Sequence, residues 1–553
     1  MPTRLPLLNT LRRAFQISIQ SEKPSSPPAD ELIDLYHNNK LDRRRFIGDV
    51  MKTGVAIGAS GIFSACQKIN ELTPTGTTPP DAAIGSNTSS KASQPKIVII
   101  GAGMAGLNCA YELKKSGYSS TIYEAATRTG GRMFTKRDIL ASGLYTELGG
   151  EFIDSTHKDM LKLCNEFGLA LLDTRTQAES VYARDSFFID GRFYSEDEVI
   201  KAFQPYASRI AADIRSLPNV MTYDNYDATT LQFDMMSITA YLNSIGMTGF
   251  IRKGIETAYV TEYGLEADVQ SSINFLYLFS ANTASGFDIF GTSDERYKIE
   301  GGNQTLTDVL YKQVKDKVFL EHQLVKIAEA SSGGYALSFK NGNTTTTVSA
   351  DIIVSTIPFS VLRDVEINVA LPQWKLNAIK NLQYGNNSKL LLGFTSRVWR
   401  NYNYSGYVFT NKAIQTGWDN SWAQSGKSGG FTVYGGGNAG LELGAGTAET
   451  QSIKFIDQLD QMWPGCKNAY NGNAKRMHWP AYPYTKGSYA CYTVGQYTSI
   501  RGAEIKPVGN FYFAGEHCSS AFQGFMNGAA ETGRMAAENI LKTVKAKQAL
   551  VAN

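Results

Sequence analysis

A short apolar run, Ile97-Val98-Ile99-Ile100, passes without a break into Gly101-Ala102-Gly103-Met104-Ala105-Gly106. The run is β-branched and of strand length, which predicts a buried strand. Leu107, Ala110, Tyr111 and Leu113 then recur near helical spacing, so a helix follows the glycines. Each glycine has a mechanical reason. Gly101 permits the tight turn, Gly103 lets the backbone approach a pyrophosphate, and Gly106 lets the helix pack close on the strand. The first turn of the helix offers unsatisfied N–H groups to an anion. A second strand-like stretch, Thr121-Ile122-Tyr123, ends on Glu124, where a carboxylate would accept ribose hydroxyls. Strand, glycine turn, helix, strand and acid in this order predict a Rossmann-type α/β unit that binds a dinucleotide.

The chain has 553 residues, enough for two to four domains, and its 42% hydrophobic and 19% charged content is that of a globular protein. The formal net charge of +3 demands no nucleic acid as a partner. No run of about eighteen apolar residues is present, so no ordinary membrane-spanning helix is expected. The N-terminal stretch 1–65 reads differently. Arg43-Arg44-Arg45-Phe46-Ile47 precedes a modest apolar stretch, Thr53 to Ala65, which resembles a twin-arginine export signal. It ends Ile62-Phe63-Ser64-Ala65-Cys66, which resembles a bacterial lipobox, so Cys66 would carry a lipid anchor in the periplasm or cell envelope. Residues 66–95, rich in Thr-Pro, Pro-Pro and Ser-Ser pairs, read as a flexible tether. The spacing of the six cysteines matches no metal pattern and suggests no disulfide framework.

Just past Glu124 stands Arg128-Thr129-Gly130-Gly131-Arg132. This resembles the second glycine signature of FAD-dependent amine oxidases, the flavin monoamine oxidases and L-amino acid oxidases, and the resemblance extends from Lys96 to about Leu541. It implies FAD as cofactor, with Arg128, Gly130, Gly131 and Arg132 beside it. It also aligns Gly149, Gly150, Glu151 and Leu324 with cofactor-binding positions. Gly515-Glu516 after the apolar Phe511-Tyr512-Phe513, and Gly524-Phe525-Met526 before the last helix, match the family's C-terminal flavin motifs.

The dispersal of these motifs implies a discontinuous Rossmann-type FAD-binding domain, in the segments 96–165, 296–358 and 491–553, with an α+β substrate domain inserted as 166–295 and 359–490. The pattern predicts helices over Glu196 to Leu217 and Ile238 to Leu276. It predicts a β-hairpin over Tyr335 to Val348 turning at Asn341-Gly342, and a sheet with alternating burial around 390–440.

The same resemblance supplies the candidate chemistry. Tyr489, in Gly487-Ser488-Tyr489, and Phe525 match the two rings that hold the substrate nitrogen over the flavin. Lys389 matches the lysine that holds a water at flavin N5. Ser488 stands where animal monoamine oxidases have a cysteine bonded to the flavin, so noncovalent FAD is expected. Phe152 stands where L-amino acid oxidases carry a carboxylate-binding arginine, and Glu151 would add negative charge near the cavity. Both favour an amine over an amino acid, although Arg252, Arg397 or Arg400 could supply a clamp from elsewhere. The expected activity is oxidation of an amine by hydride transfer to flavin N5, imine hydrolysis and H2O2 formation from O2. An L-amino acid oxidase, an FAD-dependent desaturase and a non-catalytic flavoprotein stay open as alternatives, as does a homodimer. No metal is expected.

Overall fold

The computed structural model describes residues 94–179, 181–278 and 294–552. Arg43, Arg44, Cys66 and nearly all of the predicted tether lie outside the described residues. Among the described residues, no helix is long and apolar enough to cross a membrane.

The strand Ile97–Ile100 is buried along its whole length. It is the middle strand of a five-stranded sheet ordered Phe511–Phe513, Ile352–Ser355, Ile97–Ile100, Ser120–Tyr123, Val318–Phe319. Every pairing is parallel. Parallel strands need covered faces, which explains the continuous Ile/Val runs. The helix Met104–Lys115 follows the glycine turn and packs against the final helix, Met526–Ala552. The contact is close because Gly533 has no side chain: a Cβ there would lie 2.3 Å from the Ala105 carbonyl oxygen. Leu107, Leu113, Leu310, Ala537 and Ile540 fill the core between these elements. The sheet therefore draws on distant parts of the chain, and the Rossmann-type domain is discontinuous.

A four-stranded sheet contains the predicted hairpin, Tyr335–Asn341 against Thr344–Ala350. Its loop lies one residue later than the sequence suggested. Asn341 pairs with Thr344, so the loop is Gly342-Asn343, and Gly342 takes the positive φ of 56°.

The third large sheet has seven strands, and its pair Ser388–Phe394 and Gly429–Gly435 lies in the block expected to alternate. Alternation is not found: Ser388–Phe394 is buried at every position. Leu390, Leu392 and Phe394 pack with Phe455, Ile456 and Leu459 of the helix Ala448–Met462, while Leu391 packs on the other side with Leu140 and Trp479. The helix Glu196–Ser216 starts at a capping box of Ser195 and Glu198. The predicted run Ile238 to Leu276 is broken into Ile238–Ser244, Gly249–Tyr263 and Ser272–Leu278. Gly246 and Gly264, at φ 68° and 79°, sit just past the ends of the first two and stop them. Cys109, Cys164, Cys466, Cys491 and Cys518 are all buried, and no disulfide joins the described cysteines.

Candidate active site

The two glycine signatures meet. Gly103 forms a parallel bridge with Gly130, the Gly130 N–H donates to the Ala102 carbonyl at 2.8 Å, and a Cβ on Gly103 would find only Gly131 Cα, at 3.9 Å. Gly101 turns at φ 102°, and a Cβ on Gly106 would lie 2.0 Å from the Gly101 carbonyl oxygen. Gly106 is thus a packing residue, while Gly101, Gly103 and Ala105 line a cavity. The helix that starts here has no side-chain cap at Gly103, so its opening N–H groups are available to a phosphate.

The same cavity is lined by Glu124, by Arg128, Gly130, Gly131 and Arg132, by Gly149, Gly150, Glu151 and Phe152, and by Leu324. Lys389, Ser488, Tyr489, Gly515, Glu516, Gly524, Phe525 and Met526 line it too. Apart from Gly106, every cofactor-binding, catalytic and substrate-lining residue named from the sequence lines this cavity; the three candidate clamp arginines do not.

Glu124 accepts the Ala102 N–H at 2.7 Å and the Ala126 N–H at 2.8 Å, one on each carboxylate oxygen. Each oxygen keeps a lone pair for a ribose hydroxyl. Burial raises its pKa despite those bonds. Arg128 folds back on its own loop, donating to the Gly131 carbonyl at 2.6 Å. Arg132 donates to Glu516 Oε1 at 2.7 Å and to the Ser488 carbonyl at 2.8 Å, while Glu516 Oε2 accepts the Gly524 N–H at 2.8 Å. One ion pair therefore ties three flavin motifs together. Gly150 must be small, since a Cβ would lie 2.7 Å from Met526 Cγ. A glycine cradle, an uncapped helix start and a ribose acid, all on one cavity, fit FAD.

Lys389 does not point bare into the cavity. Its Nζ donates to the carbonyls of Glu147 at 3.1 Å and Gly149 at 2.8 Å, and to Glu151 Oε2 at 2.9 Å. These acceptors match the three N–H groups of an ammonium. The other Glu151 oxygen accepts from Lys298 Nζ at 2.8 Å. Burial would raise the Glu151 carboxyl, but the two lysines outweigh it and hold the pKa below its ordinary value. The expectation that Glu151 adds negative charge is corrected: two lysines flank it. Neighbouring Glu147, which accepts from Asn303 N–H and the Thr135 hydroxyl, is pushed up to about 7, chiefly by burial.

One part of the wall is aromatic. Tyr407, Trp418 and Tyr434 join Phe152, Tyr489 and Phe525. The Tyr489 hydroxyl donates to the Glu262 carbonyl at 2.8 Å and lies 2.8 Å from the Tyr434 hydroxyl, which fixes its ring. The His157 ring stands edge-on to Phe525, centroids 5.1 Å apart. Its Nδ1 accepts the Asp154 N–H, and burial lowers its pKa to about 3, so it is a neutral buttress. The three arginines proposed as a clamp lie elsewhere. Arg252 pairs with Glu256 at 3.2 Å, Arg400 with Glu179 at 2.9 Å, and Arg397 donates to the Ser421 and Gln424 carbonyls. None of them lines the cavity.

Sequence reasoning missed Lys298, Tyr407, Trp418, Tyr434 and the two cavity carboxylates Asp154 and Glu295. Asp154 stood within reach of the Gly149-Gly150-Glu151-Phe152 motif; the others carry no local signal.

Comparison with known proteins agrees with this geometry. The family of flavin-containing amine oxidoreductases matches residues 104–541. An L-amino-acid oxidase of Vipera ammodytes ammodytes is 22% identical over 493 residues, covering 83% of this chain and 95% of its own. A nicotine dehydrogenase of Pseudomonas putida is 23% identical over 513 residues, covering 91% and 98%. Cyclohexylamine oxidase from Brevibacterium oxydans superposes with a TM-score of 0.69 at 20% identity, over 82% of this chain and 100% of that one.

Proposed function

Given that the chain belongs to the flavin-containing amine oxidoreductases and is an FAD-dependent enzyme, we propose that it is an oxidase of amines rather than of amino acids. The observation that carries this is the substrate wall. It is built from Phe152, Tyr407, Trp418, Tyr434, Tyr489 and Phe525, and no arginine stands among them. A carboxylate substrate calls for a bidentate guanidinium, and Arg128 and Arg132 are committed to the glycine loop and to Glu516. Lys389 is no substitute, because its donors go to Glu147, Gly149 and Glu151. The name of the Vipera relative favours the second reading, an L-amino acid oxidase.

The chemistry FAD supplies when bound is hydride acceptance at N5 from the α-carbon of the amine, with return of the electrons to O2 as H2O2. The chain's own residues bind and orient. Tyr489, held through its hydroxyl, and Phe525, held by His157, would flank the amine nitrogen and exclude water. Aromatic faces accept a neutral amine, and the imine product leaves to hydrolyse in solvent. We also propose export by the twin-arginine route with a lipid anchor at Cys66, supported by the residue order Arg43-Arg44 to Cys66.

The test is anaerobic addition of matched pairs, each an L-amino acid and its decarboxylated amine, with the yellow flavin absorbance followed. Amines are expected to bleach it. Faster bleaching by the amino acid of a pair would replace this reading with the second. No bleaching by either class would leave a desaturase or a non-catalytic flavoprotein.

A further inference from the structure

Lys298, Glu151 and Lys389 form a cation–anion–cation row inside the cavity wall. Lys298 Nζ lies 2.8 Å from Glu151 Oε1 and Lys389 Nζ lies 2.9 Å from Oε2, with side chains 1%, 2% and 5% exposed. Lys298 completes its bonding on the Asn420 carbonyl at 2.9 Å. Both ammonium groups approach aromatic rings, Lys298 over Phe152 at 5.5 Å and Lys389 over Trp418 at 5.2 Å. Two buried cations against one carboxylate is an expensive arrangement, since a buried ion pair already struggles against desolvation. A lone Lys389–Glu151 pair would be neutral and would hold the backbone of 147–151 equally well. Lys298 adds the odd charge.

We infer that Lys298 is a positioning residue which, by engaging one oxygen of Glu151, leaves an uncompensated positive charge on the cavity wall at Lys389, and that this charge raises the reduction potential of the bound FAD. A reduced flavin carries more negative charge than an oxidised one, and a fixed cation in a desolvated wall favours the more negative form. Lys389 and Glu151 line the cavity directly, while Lys298 acts through Glu151. The other charged groups of the wall, Glu124, Arg128, Arg132, Asp154, Glu295 and Glu516, are not touched by these substitutions, and measuring the potentials at about pH 5 keeps nearby Glu147, whose carboxyl burial pushes up to about 7, in its neutral form. The inference rests on FAD occupying this cavity but not on the identity of the amine.

The test is the midpoint potential of the holoenzyme, titrated with dithionite against a reference dye, so that no substrate is involved. Lys298→Met removes one positive charge and is expected to lower the potential at unchanged FAD content. Lys298→Arg should restore it. The double variant Lys298→Met with Glu151→Gln again has one net positive charge, at Lys389, and its potential should return toward that of the parent. A wild-type potential in yellow Lys298→Met, or a double variant as low as the single one, overturns the inference. Should Lys298→Met fail to fold, Glu151→Gln alone decides: its potential is expected at or above the parent's, and a fall overturns the inference. Failure of every amine to bleach the flavin would instead count against the proposed substrate class and leave these potentials readable.

Discussion

Ser488 lines the cavity with a hydroxyl that donates to Asn387 Oδ1 at 2.7 Å, a satisfied alcohol that offers no thiol to a flavin. Cys518, the thiol nearest in sequence to the C-terminal flavin motif, does not line the cavity, and burial holds its pKa well above 9.0. The thiolate is the nucleophile, so this cysteine is inert. FAD is therefore expected to leave the protein on acid precipitation. A yellow washed pellet, with a flavin mass on a peptide, would contradict this. Glu147 supplies a second residue-scale prediction. A carboxyl raised from 4.5 to about 7 in the folded protein binds its proton more tightly there than in the unfolded chain. Its contribution to stability is complete below the unfolded value and is lost as the pH rises through about 7. Glu147→Gln keeps a neutral group of the same shape at every pH. The variant should gain on the parent between about pH 5 and pH 8, by up to roughly 3 kcal/mol. Thermal unfolding of both proteins at the two pH values measures it, and a gap independent of pH would show that Glu147 does not titrate there.

At the scale of elements, the turn Gly101 to Gly106 separates binding from packing. Gly103 has ordinary φ, −78°, and a Cβ there would meet nothing nearer than 3.9 Å, yet it would stand in the cradle where the two glycine signatures cross. Gly103→Ala should fold and lose FAD affinity by at least about tenfold, which is about 1.4 kcal/mol. Gly106→Ala should fail differently. Its Cβ would lie 2.0 Å from a backbone oxygen, so the helix must shift off the strand and soluble yield should collapse. Flavin content and melting temperature of the two variants tell these outcomes apart; equal FAD content in Gly103→Ala and parent would remove the close-approach role. This turn was legible in the sequence because Gly101 answers to its own dihedral and Gly106 to the Gly101 carbonyl, both within the motif, while Gly103 was legible through the motif's spacing. Lys298 was not legible. Nothing local in Tyr297-Lys298-Ile299 marks it, and pairing with Leu171–Asp173 and contact with Glu151 bury it. Trp418 and Tyr434 reach the cavity through the register of the seven-stranded sheet, where Thr416 pairs with Tyr434 and Trp418 with Thr432. Arg397 and Arg400 looked available for the same reason in reverse, because Asp419 and Glu179, which attract them, are distant in sequence.

At the scale of the whole molecule, the cofactor site is completed by the C-terminal part of the chain. Phe511–Phe513 completes the parallel sheet against Ile352–Ser355, Glu516 reaches Arg132, and the final helix packs on the first one after the glycine turn. The cradle at Gly101 to Gly106 therefore lacks its opposite wall until residues beyond Met526 have been made and docked. FAD is accordingly expected to load into a finished chain, and if the protein is exported holding its cofactor, as proposed, it needs a route that accepts folded cargo. The arginine pair at Arg43-Arg44 fits that need, and Cys66 would then fix the product to a membrane. Arg43→Lys combined with Arg44→Lys should strand the protein in the cytoplasm without harming it. Cell fractionation with flavin fluorescence is expected to show the double variant yellow, soluble and FAD-loaded in the cytoplasmic fraction, and the parent in the envelope. Cys66→Ser, in contrast, should still be exported but should appear in the soluble periplasmic fraction without acyl mass. Double-lysine protein reaching the envelope at the parent's level would remove the twin-arginine reading, and a cytoplasmic product free of FAD would show that loading waits for a later compartment.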